Sequence, residues 1–185
     1  MSGPVQFAWP SRILHWLMAA MLLSMFFIGA RMVSSVEGYS TLVAIHRPLG
    51  IAILVLATVR WLNRRIQPLP DFLPTMSGVE RRMIPWMERA LYTLMFAMPL
   101  VGWGMLSAAR YPIVLFGALH LPPILPHSVL LYTVLRTVHG VLAYLFFATF
   151  LIHLGGVLFH TLVLRDGLIQ RMVPWRARPS DSGSD

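Results

Sequence analysis

The stretch from Arg136 to His160 constrains this chain most, because it is almost wholly apolar and still carries three histidines. Its length and composition predict a helix that spans a membrane. Within it, His139 and His153 are fourteen residues apart. On an α-helix this spacing returns to within ~40° of the same face and separates the two side chains by ~21 Å. One helix would therefore present an imidazole toward each side of the bilayer, and ionisable residues at such depths are by default functional.

The composition of the 185-residue chain is that of a membrane protein, with 57% hydrophobic and 12% charged residues. Three further apolar runs precede the histidine-rich stretch, so we predict an all-α membrane protein, a bundle of four transmembrane helices. The expected helices cover residues 12–33, 41–62, 84–109 and 128–164. They belong to a single membrane domain of residues 1–185, whose tail, 165–185, we expect to be partly disordered.

The basic residues, all arginine, give a formal net charge of +8. They border the apolar runs and form no basic helix, which argues against nucleic acid as a partner. Four spans place both termini on one side, which we call the inner side. Eleven arginines fall on the inner side and four on the outer side. This asymmetry predicts that both termini are cytoplasmic.

Two more histidines in apolar segments complete a set of four. His15 falls at the inner end of the first helix and His46 at the outer end of the second, so depth pairs His15 with His153 and His46 with His139. Two histidines at each depth suit the two axial positions of a haem iron, whereas zinc requires three or four ligands at one depth. Without cysteine, the haems would be non-covalent and b-type. Iron with two histidine ligands favours one-electron transfer.

Short motifs surround these histidines: R-I-L-H-W in the first helix, I-H-R-P-L-G-I in the second, and H-G in the fourth, with the next histidines fourteen and 21 residues on. In these motifs the chain resembles the bacterial cytochrome b561 family, over residues 12–174. The resemblance implies a multi-pass protein of the bacterial inner membrane with two b-type haems between its helices. It assigns His15 and His153 to the inner haem iron, and His46 and His139 to the outer one.

Three other residues are candidates for substrate contact. Arg47 adjoins His46, and Arg136 lies three residues before His139. These arginines either pair with haem propionates or phosphate headgroups, or form a cationic mouth that gathers a small anion such as superoxide. His160, seven residues after His153, either donates a hydrogen bond to a quinone carbonyl or reaches the headgroups.

The family includes a superoxide oxidase that passes electrons from superoxide to ubiquinone, and we interpret the chain first as such a superoxide:ubiquinone oxidoreductase. Membrane lipid, quinone and superoxide would then be its partners. The second interpretation is a cytochrome b subunit that serves a separate periplasmic dehydrogenase, hydrogenase or carrier, although short outer loops leave little docking surface. The third is a haem-free transporter or scaffold. His120 and His127, in the loop before the fourth helix, are expected at the surface.

Overall fold

The computed structural model describes residues 6–115 and 117–173. Four long helices follow one another along the chain: α1 Trp9–Ser34, α2 Tyr39–Ile66, α3 Gly78–Ala108 and α4 Val129–Leu158. Each is long and apolar enough to cross a membrane, α4 together with the six residues that follow it. The predicted four-helix membrane bundle is confirmed.

The helices pack as α1 against α2 and α3 against α4, and α2 joins the two halves through α3. The buried core is thin, and all four helices contribute to it: Met18, Leu22, Ile53, Ala57, Tyr92, Leu94, Met95 and Phe146. Most other large apolar side chains face outward. Such an inverted distribution is expected where lipid, and not water, surrounds the helices.

The N-terminus of α3 lies six residues before the expected start at residue 84. Ser77 and Glu80 form a capping box, in which the Ser77 hydroxyl accepts from the Glu80 backbone N–H and the Glu80 carboxylate accepts from the Ser77 N–H. This reciprocal pairing satisfies two of the free N–H groups of a first helical turn. The apolar run had marked only the membrane part of the helix, so the polar first turn was missed.

The loop between α3 and α4 contains a small antiparallel hairpin that was not predicted. Its strands are β1 Ile113–Leu115 and β2 Leu119–Leu121, with Leu115 paired to Leu119. Gly117 in the connection has φ 74°, a conformation that glycine adopts at little cost. Ile113 and Leu115 are buried, and β1 lies against α2. The hairpin therefore caps the outer end of the bundle.

The last turn of α4 is wound differently from the rest. The helix is α-helical to Leu158 and continues as a π-helix over Phe159–Leu164, after which Arg165 adopts a left-handed conformation with φ 50°. A continuous α-helix to residue 164 had been expected. A short 3-10 helix, Ile169–Arg171, follows and pairs with the N-terminal lead through the Phe7 N–H and the Arg171 carbonyl. Residues 174–185 of the tail lie outside the described part of the chain.

Candidate functional site

The inner histidine pair joins the first and last helices. His15 lies in the second turn of α1, and His153 lies in the last third of α4. Their imidazole ring centroids are 6.4 Å apart, with an interplanar angle of 66°. Two helices that are distant in sequence therefore present one imidazole each to the same small space.

The outer histidine pair repeats this arrangement at another level of α4. His46, from the second turn of α2, faces His139, and their ring centroids are 6.2 Å apart with an interplanar angle of 67°. The structure thus brings together both pairs that the sequence suggested by depth. Within residues 6–115 and 117–173, no three histidine or acidic side chains converge as a zinc site would require.

Both ring separations suit a shared iron. A metal–imidazole bond is ~2 Å long, and the nitrogen lies ~1.1 Å from the ring centre, so two imidazoles on opposite sides of one metal ion place their centroids ~6 Å apart. The observed separations are 6.4 Å and 6.2 Å. Two opposed rings are the axial ligand set of a bis-histidine haem. The donor sets therefore fit one haem each.

The surroundings of the outer pair favour a missing partner. Nδ1 of His46 is buried and forms no hydrogen bond with another described residue, and such atoms are rare in folded proteins. Gly102 of α3 lies directly against the His139 ring, because a Cβ there would be 3.3 Å from Cε1. This close approach of α3 to a histidine was not predicted from the sequence.

The inner pair has a cationic neighbour that the sequence did not reveal. Arg60 of α2 donates from Nη2 to Nδ1 of His15 over 3.1 Å, and its guanidinium lies 5.3 Å from the Tyr92 ring centroid. A guanidinium only donates, so this contact requires a lone pair on Nδ1. A His15 that binds iron through Nε2 carries its proton on Nδ1. The contact with Arg60 and iron ligation through Nε2 therefore exclude each other.

Space beside α4 is available next to the ligand histidines. A Cβ added at Gly140, Gly155 or Gly156 would meet no neighbouring atom within 4 Å. Gly50 of α2 is closer to its surroundings, since its added Cβ would contact Cε of Met25 at 3.7 Å. Three of these four glycines thus border open surface, where a flat macrocycle or a lipid chain fits.

His160 lies in a polar cluster and does not reach toward headgroups. Its side chain is 7% exposed, its Nδ1 is 2.6 Å from Oδ2 of Asp166, and its Nε2 is 3.3 Å from Oε1 of Glu80. Both carboxylates can only accept, so the arrangement suits a ring with a proton on each nitrogen. Neither acidic partner had been assigned to His160 from the sequence.

Asp166 is the most enclosed member of this cluster, with a side chain that is 3% exposed. Burial tends to raise the pKa of its carboxyl, but hydrogen bonds from His160, the Thr75 hydroxyl and the Leu168 backbone N–H together hold that pKa below its ordinary value. Asp166 is therefore a carboxylate stabilised in its charged form.

The two candidate arginines of the outer mouth have free guanidinium groups. Arg47 is half-buried and Arg136 is exposed, and neither forms a hydrogen bond or ion pair with another described residue. His120 and His127 are exposed in the loop before α4. Nδ1 of His127 donates to the Ala108 carbonyl over 2.8 Å, so this histidine anchors the loop to the end of α3.

Comparisons of the sequence with known proteins point to one family. Residues 6–175 match the family described as prokaryotic cytochrome b561. The cytochrome b561 homolog 2 of Escherichia coli (strain K12) is 29% identical over 173 residues, which cover 92% of each chain. The probable superoxide oxidase CybB of Yersinia pestis is 30% identical over 134 residues, which cover 70% of this chain and 73% of that protein.

Proposed function

Because the chain belongs to the prokaryotic cytochrome b561 family, we propose that it is a superoxide:ubiquinone oxidoreductase that carries electrons through two b-type haems. Family membership by itself gives a multi-pass membrane protein that carries b-type haem and acts in electron transfer. A haem-free transporter or scaffold is thereby set aside. The observation that carries the finer proposal is the pair of opposed imidazoles at two levels, with centroids 6.4 Å and 6.2 Å apart.

The four histidines would hold the two haems, His15 with His153 at the inner end and His46 with His139 at the outer end. Haem bound in this way supplies one-electron chemistry without an open iron position. One histidine of each pair lies on the same helix, α4, so the two redox groups would keep a constant spacing. The outer pair lies near the end with the hairpin, and the inner pair lies near the termini.

Electrons would enter at the outer mouth, where no carboxylate of the described residues neutralises Arg47 or Arg136. A cationic entrance raises the encounter rate of a small anion, and superoxide is an anion and a one-electron donor. The similarity to a protein named as a probable superoxide oxidase supports this choice of donor. The excess of inner-side arginine supports cytoplasmic termini in the bacterial inner membrane, with the mouth facing the periplasm.

Electrons would leave at the inner end, where His160 offers a hydrogen bond to ubiquinone. Both ring nitrogens are engaged, so a quinone carbonyl must replace one carboxylate. Glu80 is the one to be displaced, because it is one-third exposed and lies 3.3 Å away, whereas Asp166 is enclosed and lies 2.6 Å away. The variant His160→Ala should therefore keep both haems and slow quinone reduction.

The test is to purify the protein, count its haems from the reduced-minus-oxidised spectrum, and mix it with superoxide and a soluble ubiquinone. We expect two haems per chain and quinone reduction that depends on superoxide. A chain that binds haem but leaves quinone oxidised would contradict the proposal. It would favour instead a cytochrome subunit for a redox partner, which co-purification from native membranes would then identify.

A further inference from the structure

Three titratable side chains from three parts of the chain meet at the inner end of the bundle. Glu80 comes from the first turn of α3, His160 from the π-helical turn, and Asp166 from the segment after it. Because of the capping box, the two carboxylate oxygens of Glu80 have different partners. Oε2 accepts from the Ser77 N–H over 2.6 Å, and Oε1 faces Nε2 of His160. The fold therefore aims one carboxylate oxygen at the histidine.

The π-helical turn brings Asp166 to the same histidine. Six residues of regular α-helix would turn a side chain through ~600°, so Asp166 would lie far from the His160 face. In the structure, the wider turn and the left-handed Arg165 return the chain, and the Asp166 backbone N–H donates to the His160 carbonyl over 3.3 Å. Single π-turns often occur at functional sites.

The two carboxylates differ in mobility and access. Asp166 accepts hydrogen bonds from His160, the Thr75 hydroxyl over 2.8 Å and the Leu168 N–H over 3.1 Å, and its side chain is 3% exposed. The Glu80 side chain is 33% exposed. One acid therefore fixes the ring, and the other can exchange protons with solvent.

We propose that Glu80, His160 and Asp166 form a proton-input relay for quinone reduction, which rests on the proposed function. Asp166 is the positioning residue that holds Nδ1 and so directs Nε2. His160 is the catalytic residue that donates its Nε2 proton to the quinone. Glu80 returns a proton from the inner solvent to Nε2. Among the described residues, Glu80 and Asp166 are the charged side chains in contact with the His160 ring.

The reduction of quinone by superoxide is balanced in atoms and electrons. Two superoxide ions are oxidised to dioxygen and release two electrons, and one quinone accepts two electrons and two protons to form the quinol. For each proton, the N–H bond at Nε2 of His160 breaks as an O–H bond forms on a quinone oxygen. Once the quinone oxygen has left Nε2, Glu80 returns to this nitrogen and transfers a solvent-derived proton to it, which restores the ring for the second transfer.

The sharpest variant is Glu80→Gln, because glutamine retains the acceptor of the capping box but cannot carry a proton. A positioned acid or base contributes ~10²–10⁴-fold to a rate. We expect quinone reduction to fall at least ~10-fold at about pH 8 and to recover toward about pH 6, where solvent protons reach His160 directly. Haem reduction by superoxide in a single mixing, before quinone is added, should be unchanged.

Two further variants separate a relay from a structural role. Glu88→Gln makes the same change in the same helix, at a residue paired with Arg64 over 2.6 Å, and should leave the pH profile of quinone reduction unchanged. Asp166→Asn should lower the quinone rate by a similar factor at every pH, because it disturbs the ring orientation and not the proton supply. Haem content and thermal unfolding are recorded for each variant. If Glu80→Gln loses haem, Asp166→Asn becomes the deciding test of the relay.

The outcomes for the relay and for the proposed function are distinguishable. If the unaltered protein binds two haems but never reduces quinone, the proposed function fails and the relay fails with it. If the unaltered protein reduces quinone and Glu80→Gln matches its rate over the whole pH range, the relay is overturned and the proposed function stands.

Discussion

The outer pair, His46 with His139, and the inner pair, His15 with His153, share one geometry. Their ring separations are 6.2 Å and 6.4 Å, and their interplanar angles are 67° and 66°. They share only α4, since the other ligand comes from α2 in the outer pair and from α1 in the inner pair. Helix spacing therefore sets the distance between the rings, whichever helix supplies the second histidine.

The surroundings of the two pairs differ sharply. In the outer pair, Nδ1 of His46 is buried and unpaired among the described residues, and the backbone of Gly102 lies against the His139 ring. The inner pair has the guanidinium of Arg60 in contact with His15. A nearby cation stabilises an added electron. Both pairs thus have an arginine nearby, because Arg47 adjoins His46, but Arg60 is the arginine that contacts a ring.

The strongest test of the comparison is to remove one ring from each pair. His139→Ala should remove the outer haem and His153→Ala the inner haem, so that each variant retains one haem per chain. Superoxide-driven quinone reduction should fall to background in both, because each variant interrupts the same path. Haem content from the pyridine haemochrome spectrum and stopped-flow quinone reduction measure the two effects. A variant that loses both haems or neither would show that the pairs are not separate sites.

A second test uses the glycine that distinguishes the outer pair. Gly102→Val adds a branched side chain where even a Cβ would be 3.3 Å from His139, and such overpacking costs ~1–3 kcal/mol. We expect outer-haem affinity to fall ~10–100-fold, with the inner haem retained. Gly29→Val in α1, whose added Cβ would meet nothing within 4 Å, is the control. Equal haem loss in both variants would contradict a specific role for Gly102.

The contrast also shows what a sequence reveals about such a protein. Apolar runs and histidine spacing were sufficient to predict the four helices, because both signals are local to one helix. The neighbours that contact the histidines could not be predicted in this way. Arg60, Gly102 and Glu80 each belong to a helix other than the one that carries the histidine they contact. Such neighbours depend on how the helices are rotated against one another, and no local pattern encodes this rotation.

Two local features were missed although a signal existed. Ser77 and Glu80 have the S-x-x-E spacing of a capping box, which marks a helix start before the apolar run begins. Gly117 divides two short apolar runs, as in a hairpin. The π-helical turn at His160 has no comparable sequence signal.

The outer mouth provides a test of where electrons enter. Replacing Arg47 and Arg136 together with Gln should slow haem reduction by superoxide ~10-fold at low ionic strength, and much less at high salt, because electrostatic steering is screened. Arg31→Gln, at the outer end of α1, is the matched control. Stopped-flow absorbance at several salt concentrations measures the rates. A loss that is the same at every ionic strength would contradict steering and favour a role in binding haem propionates.

The charge difference between the pairs has its own test at Arg60. Arg60→Gln should lower the reduction potential of the inner haem by tens of millivolts, because a cation that favours the reduced state is removed. The outer haem should be unaffected. Arg65→Gln, whose guanidinium lies 4.8 Å from the Trp61 ring centroid, is the control on the same helix. Spectroelectrochemical titration resolves the two potentials, and an equal shift of both haems would contradict a local effect.

The smallest expected effect concerns stability at the inner end. The pKa of Asp166 is held below its ordinary value by the hydrogen bonds from His160, Thr75 and Leu168, so its contribution to stability is present above the unfolded pKa of ~3.9 and is lost as pH falls through the folded pKa. Hydrogen bonds to a charged group contribute ~1.5–3 kcal/mol. The unfolding temperature should therefore fall below about pH 4.

The Asp166→Asn variant isolates this contribution from general acid unfolding. Asparagine does not titrate, and its single side-chain oxygen can accept from the Leu168 N–H or from the Thr75 hydroxyl but not from both. The unfolding temperature of the variant should therefore be lower than that of the unaltered protein at neutral pH, and the two should converge in acid. A shift of ~2–4 °C per kcal/mol is expected for a chain of this size. Among the described residues, the outer end has no equivalent of the enclosed Asp166 carboxylate, so Glu37→Asn should leave the acid profile unchanged. Parallel profiles for Asp166→Asn and the unaltered protein would show that the inner cluster does not stabilise the fold through its charge.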